Sequence, residues 1–241
     1  MGLRIGCDLD GTIADMETAL QREAERLFGP NVLLRPANSE HLEAPAELDD
    51  ETTEQLKPGT TVAAPTEKKQ VLSRQQLRQL WEHVATIENF WTTLNEIEPG
   101  AVARLAALRS AHRAEVIFLT QRPDTAGETT QLQSQRWLDA QGFEFPSVYV
   151  MKGSRGRAAA ALHLDIVIDD RPENCLDVAN ESTARPLLVW RDAPDTIPAG
   201  ATRLGIQTVA SIAEALERIE TLTGAKRRPT LMSRVRDAIG I

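Results

Sequence analysis

Apolar and polar positions along this chain fall into repeating blocks. Five short apolar runs, LRIGC (3–7), EVIFL (115–119), SVYVM (147–151), DIVIDD (165–170) and PLLVW (186–190), have the length and β-branched content of buried strands. A weaker run, GIQTV (205–209), reads as a sixth. Amphipathic stretches at 99–111, 124–141, 156–163, 172–180 and 211–222 separate the runs. Strand and helix in alternation predict an α/β fold: a Rossmann-like, doubly wound, mostly parallel sheet with helices on both faces. On such sheets ligands bind at the carboxyl ends of the strands, so the residues just past each run are the places to look for chemistry.

The alternation lapses once, between Asp15 and Glu98. That interval holds a helical segment (16–28), a stretch rich in Pro, Glu and Thr (43–69), and a second helical segment (73–87). Ser73 is placed to cap the second helix, and Leu77, Leu80, Trp81 and Val84 give it one apolar face. The pattern predicts a core formed by 1–14 and 99–223, with 15–98 inserted after the first strand as a mainly helical cap. Within the cap, 43–69 reads as a long, solvated, mobile loop. Residues 224–241 form a basic tail in which Leu231, Val235 and Ile239 recur at helical spacing. Such a helix either packs its apolar side on its own domain or touches a membrane surface or partner.

Composition narrows the function classes. A chain of 241 residues that is 41% hydrophobic and 26% charged can bury a sizeable core. Its formal net charge of −8 argues against a nucleic-acid polymer or an anionic membrane as partner, since both require a basic face. Cys7 and Cys175 are the only cysteines and lack metal-site spacing, so both read as free thiols in a reducing compartment. The four histidines match no triad or ligand spacing. No apolar run is long enough to span a membrane, and LRIGC follows the start without a signal pattern, so the expectation is a cytoplasmic protein. Nothing in the pattern sets an oligomeric state.

The residues past the strands then form a short list. The first run leads into Asp8-Leu9-Asp10-Gly11-Thr12, the second into Thr120 and Gln121, the third into Lys152, and the fourth into Asp169-Asp170. Carboxylates, a hydroxyl and an ammonium would meet at one sheet edge. Asp8, Asp10 and Asp169 are hard oxygen donors without a competing His or Cys cluster, so Mg²⁺ is the expected ion. A divalent cation relieves the repulsion between crowded carboxylates and neutralises a phosphoryl group. Thr120, Lys152 and backbone N–H groups around Gln121 would hold phosphate oxygens. One aspartate of the first pair would attack while the other moves protons. The proton carrier needs a raised pKa, which requires its side chain to keep farther from the metal charge.

In the order DLDGT (8–12), FLT (118–120), Lys152 and IDD (168–170), the chain resembles the haloacid dehalogenase superfamily of phosphohydrolases. The resemblance covers about 1–14 and 99–210, with the insert where that family carries a cap. It implies a nucleophilic Asp8 that forms an aspartyl-phosphate. It also implies an Asp10 that acts as acid and base while its backbone carbonyl ligates Mg²⁺. Thr120 and Lys152 then bind phosphate, Asp169 completes the metal site, and Asp170 supports it from behind.

Within the superfamily, ENFWTTLNEIEPGAVARLAALR (88–109), MKGSRG (151–156) and VIDDRPENC (167–175) resemble the 5'(3')-deoxyribonucleotidases. That likeness implies a (deoxy)nucleoside monophosphate substrate, with Phe90 and Trp91 bordering a nucleobase pocket; buried cap core is the competing reading of both rings. The longer 43–69 segment and the turn LTQRP depart from that group. Arg122 of that turn either reaches a substrate anion or pins the loop by a salt bridge. The alternatives are a phosphosugar or another small phosphomonoester as substrate, or a non-catalytic binding protein on the same fold. A receiver domain gathers similar groups, but its acidic pair comes first and its lysine last.

Overall fold

The computed structural model describes residues 2–34 and 70–227. The 43–69 segment and the part of the tail beyond 227 therefore lie outside the described residues. Among the described residues there are eight strands: β1 (Arg4–Asp8), β2 (Val32–Leu33), β3 (Gln70–Val71), β4 (Glu115–Thr120), β5 (Ser147–Val150), β6 (Ile166–Asp169), β7 (Arg185–Val189) and β8 (Gln207–Val209). The helices are α1 (Met16–Phe28), α2 (Arg74–Thr86), α3 (Ala101–His112), α4 (Thr130–Ala140), α5 (Arg155–Ala161), α6 (Pro172–Glu181), α7 (Ala199–Arg203) and α8 (Ile212–Arg227).

Six strands form one sheet in the order β5-β4-β1-β6-β7-β8, and every neighbouring pair is parallel. The chain winds from β1 out through β4 to β5, then crosses back to β6 on the other side of β1. This reversal of winding direction opens a crevice at the carboxyl ends of β4, β1 and β6, where parallel sheets take ligands. Register sharpens the placement. Asp8 lies opposite Leu119, and the pairing of Cys7 with Ile168 sets Asp8 beside Asp169.

Helices cover both faces, as the alternation of elements requires. On one side α3 packs on α8, and on the other α5 packs on α6. Ile5 and Cys7 of β1 join Phe118, Ile166 and Ile168 in the larger core cluster. Leu119 and Val167, one residue out of phase, join Ala158, Ala159 and Leu164 in the cluster under α5. The contact of α5 with α6 depends on Gly156: a Cβ there would lie 2.1 Å from the Asp177 carbonyl oxygen, so only a glycine permits this approach.

The described part of the interval between β1 and β4 holds α1, α2 and α3 together with a two-strand parallel ladder of β2 and β3 that local pattern did not predict. Helix α1 is capped by Asp15, whose side chain accepts from the Thr18 N–H. Helix α2 carries the expected Ser73 cap, closed into a reciprocal box with Gln76. Leu20, Ala24, Leu80, Trp81 and Val84 of these helices belong to the same buried cluster as the sheet. A short 3-10 helix, Phe90–Thr93, then leads the chain back. Helix α4 anchors this return: Gln133 accepts from the Trp91 N–H at 3.1 Å, and Trp137 Nε1 donates to the Leu94 carbonyl at 2.7 Å. Among the described residues no helix is long and apolar enough to cross a membrane.

Candidate active site

The site begins where β1 ends. Asp8, Asp169 and Asp170 are all buried and offer carboxylate oxygens within 4.8 Å of one another. Thr12 stitches the group together. Its hydroxyl lies 3.2 Å from Asp8 Oδ2 and 2.9 Å from Asp170 Oδ1, and it accepts from the Asp170 N–H at 3.1 Å. Asn174, in the first turn of α6, donates to both oxygens of Asp169. Gly11 makes the turn possible: its φ is +82°, and a Cβ would lie 2.2 Å from Asp170 Oδ2.

A buried cation sits in this cluster. Arg155 approaches Asp8 Oδ1 at 2.5 Å through Nη2 and Asp169 Oδ2 at 3.0 Å through Nε, with only 2% of its side chain exposed. Arg155 thus meets two of the three carboxylates, and the crowding of these groups in a dry environment raises their affinity for protons. Burial first, then the Asp169 charge, pushes Asp8 well above the usual carboxylate range. The same two causes, in the same order, push Asp170 up to about 7. A divalent cation with a preference for hard oxygen donors fits this all-carboxylate donor set. Asp8, Asp169 and Asp170 are the residues whose side chains can hold it.

Asp10 faces elsewhere. Its Oδ1 accepts from Arg122 Nε at 2.9 Å and Nη2 at 2.8 Å, and its Oδ2 accepts from Thr120 Oγ1 at 3.1 Å. Arg122 in turn donates from Nη1 to Ser134 Oγ and lies over the Trp91 ring, 4.9 Å from its centroid. Of the two roles open to Arg122, the structure displays the salt bridge; the guanidinium is fully enclosed. The carboxylate cluster recruits Asp170 and leaves the Asp10 side chain outside it.

The remaining expected residues divide. Thr120 is buried at the site. Gln121 turns its side chain to the Gly153 carbonyl at 2.9 Å. Lys152 is exposed and makes no ion pair among the described residues. The cation that meets the carboxylates is Arg155, three positions on. Its signal was available in the sequence: with Ser154 as N-cap, Arg155 shares a helix face with the buried Ala158 and Ala159. Phe90 and Trp91 are 3% and 0% exposed. Trp91 Nε1 donates to the Pro123 carbonyl, and the two rings meet edge to face. Enclosed in this way, neither ring offers a face to a base, and both are placed as core.

No family model and no curated protein matches this sequence. Solved structures do. A haloacid dehalogenase-like family hydrolase from Streptococcus pneumoniae aligns at a TM-score of 0.51 and 13% identity, over 90% of this chain and 98% of that one. Another from Xanthomonas campestris aligns at 0.48 and 11%, over 94% and 98%. The chain has the haloacid dehalogenase-like hydrolase fold, with a buried acidic cluster at the carboxyl ends of its central strands.

Proposed function

We propose that this chain is an Mg²⁺-dependent phosphomonoester hydrolase working through an aspartyl-phosphate on Asp8. The observation that carries the reading is the buried cluster of Asp8, Asp169 and Asp170, whose carboxylate oxygens lie within 4.8 Å of one another. Mg²⁺ supplies charge neutralisation for a phosphoryl group brought against these carboxylates.

Arg155 and Thr12 hold the two oxygens of Asp8 from either side, which fixes the carboxylate for in-line attack. Attack by a carboxylate oxygen forms the Asp8–phosphorus bond as the bond from phosphorus to the leaving oxygen breaks. Asp10, released from Arg122 and protonated, is the group proposed to give a proton to that oxygen. It then takes one from a water, which attacks phosphorus, releases phosphate and restores the Asp8 carboxylate. The Thr120 hydroxyl, backbone N–H groups near Gln121 and the Lys152 ammonium are the donors proposed for phosphate oxygens.

A (deoxy)nucleoside monophosphate is the substrate class supported by the likeness of 88–109, 151–156 and 167–175 to the deoxyribonucleotidases. The enclosure of Phe90 and Trp91 favours a second reading, a phosphosugar or another small phosphomonoester, because it removes the expected stacking platform. The test is phosphate release from an aryl phosphate with and without Mg²⁺, followed by a panel of nucleoside monophosphates and sugar phosphates. Turnover that needs Mg²⁺ and is lost in Asp8→Asn supports the chemistry. No turnover with any divalent ion refutes it, and nucleotides ranking no better than sugar phosphates refute the substrate.

A further inference from the structure

Arg191 lies two residues past β7, and its guanidinium reaches across the sheet edge to the turn after Asp10. Nη1 donates to the Gly11 carbonyl at 2.7 Å and Nη2 to the Thr12 carbonyl at 2.8 Å. Nη2 also donates to Glu98 Oε1 at 2.9 Å. Glu98 is a junction in its own right. Its carboxylate accepts from the Ile212 N–H at 2.8 Å and the Ala213 N–H at 3.4 Å, where α8 begins, and Arg104 lies 3.8 Å away.

Two more contacts tie this junction to the insert. The segment entering it and the segment leaving it run side by side: Asp15 N–H donates to the Asn95 carbonyl at 2.9 Å, and Ile97 N–H to the Ile13 carbonyl at 2.9 Å. Ala14 and Glu96 form an antiparallel bridge between them. Glu98 therefore sits at the foot of the returning segment, while Arg191 spans from Glu98 to the turn that carries Thr12.

We propose that Arg191 is a positioning residue for the 9–14 turn, and that Glu98 couples that turn to the root of the insert. The proposal rests on the phosphohydrolase reading for its kinetic consequences, though not for its structural ones. A turn with a positive-φ residue aims successive carbonyls outward, where each needs a donor. A guanidinium satisfies two at once in fixed geometry, which a lysine ammonium does not reproduce. Holding those carbonyls sets the Thr12 hydroxyl, and Thr12 sets the spacing of Asp8 and Asp170. Arg191 acts on the site without touching substrate.

The test compares Arg191→Met, Arg191→Lys and Glu98→Gln with the wild type in two measurements. Amide exchange is read at Ile13 and Ala14, whose N–H groups both bond the Leu9 carbonyl, with β6 amides as the internal reference. We expect faster exchange at Ile13 and Ala14 in Arg191→Met and Glu98→Gln with β6 unchanged, and an intermediate effect in Arg191→Lys. With an aryl phosphate and saturating Mg²⁺, kcat should fall about tenfold or more in Arg191→Met, as for a small misplacement of reacting groups. KM should stay within about threefold, since no substrate contact is lost. Unchanged exchange at both amides overturns the proposal, as does a raised KM at constant kcat, which would make Arg191 a substrate ligand. Acceleration spread equally over β6 also overturns it, because the residue would then only support the fold. If the wild type hydrolyses nothing, the functional reading fails while the exchange rates still decide the clamp.

Discussion

Replacing Arg155 with Met isolates the charge balance of the site. The side chain is 2% exposed and contacts Asp8 at 2.5 Å and Asp169 at 3.0 Å, so its loss leaves two buried carboxylates without the cation that meets them. Removing one partner of a buried ion pair costs about 3–5 kcal/mol, mostly as desolvation of the charge left behind. Methionine retains most of the volume, which keeps cavity formation out of the comparison. For a chain of this size each kcal/mol moves the unfolding midpoint by about 2–4 °C, so metal-free Arg155→Met should melt roughly 6–20 °C below wild type. The deficit has a second signature. Asp8 and Asp170 are already pushed toward protonation, and protonation removes the charge that the variant cannot balance. The gap between variant and wild type should therefore shrink at pH 5.5, widen at pH 8, and narrow when Mg²⁺ is added. Urea unfolding at both pH values, with and without Mg²⁺, measures it. A loss under about 1 kcal/mol, or a deficit indifferent to pH and to Mg²⁺, would refute the charge argument.

Three further outcomes are expected. Mg²⁺ at about a hundred times its dissociation constant should add about 2.7 kcal/mol of stability to the wild type, and Asp169→Asn should abolish that gain in a thermal-shift titration. In metal-free wild type, Asp170 titrates at about 7 when folded and near 3.9 when unfolded, so the native state binds more protons in between. Stability contributed at this site is thus greatest at low pH and is lost as pH rises from about 4 to about 7, which urea midpoints check, and Mg²⁺ should flatten the trend. Gly156→Ala puts a methyl 2.1 Å from the Asp177 carbonyl oxygen, which should cost about 1–3 kcal/mol by equilibrium unfolding and displace Arg155 with the α5 N-terminus.

The sheet was legible because each strand is a self-contained apolar run whose buried pattern does not depend on its partners; the LRIGC and DIVIDD runs became β1 and β6 with shifts of one residue at their ends. Elements defined by distant partners were not legible. The β2–β3 ladder joins two-residue strands far apart in sequence, too short to carry a period. Helix α4 starts at Thr130 and not at 124, because Gly127 takes a φ of +93° and Thr129 supplies the cap. In the site, Asp8 and Asp169 were legible as strand ends, whereas Asp170 was expected behind the metal and Asp10 among its ligands; the carboxylate cluster holds Asp170 and not Asp10. Arg155 carried only the weak mark of a helix face shared with Ala158 and Ala159, and a charged residue there reads as solvated until tertiary contacts give it carboxylates. Phe90 and Trp91 illustrate the reverse: their composition suits a ligand platform, while both are buried and Arg122 lies over the Trp91 ring.

The anchoring of the return segment by α4 limits how the insert can move. From Asn89, whose side chain accepts from the Glu128 N–H, through Trp91 to Leu94, the chain is tied to the 121–137 region at every second or third residue. A rigid-body opening of α1 and α2 cannot carry these residues along without breaking buried hydrogen bonds. Phe90 to Leu94 are thus seated by α4, and substitutions at exposed positions of α1 and α2 leave that seat, and the strand ends beside it, in place.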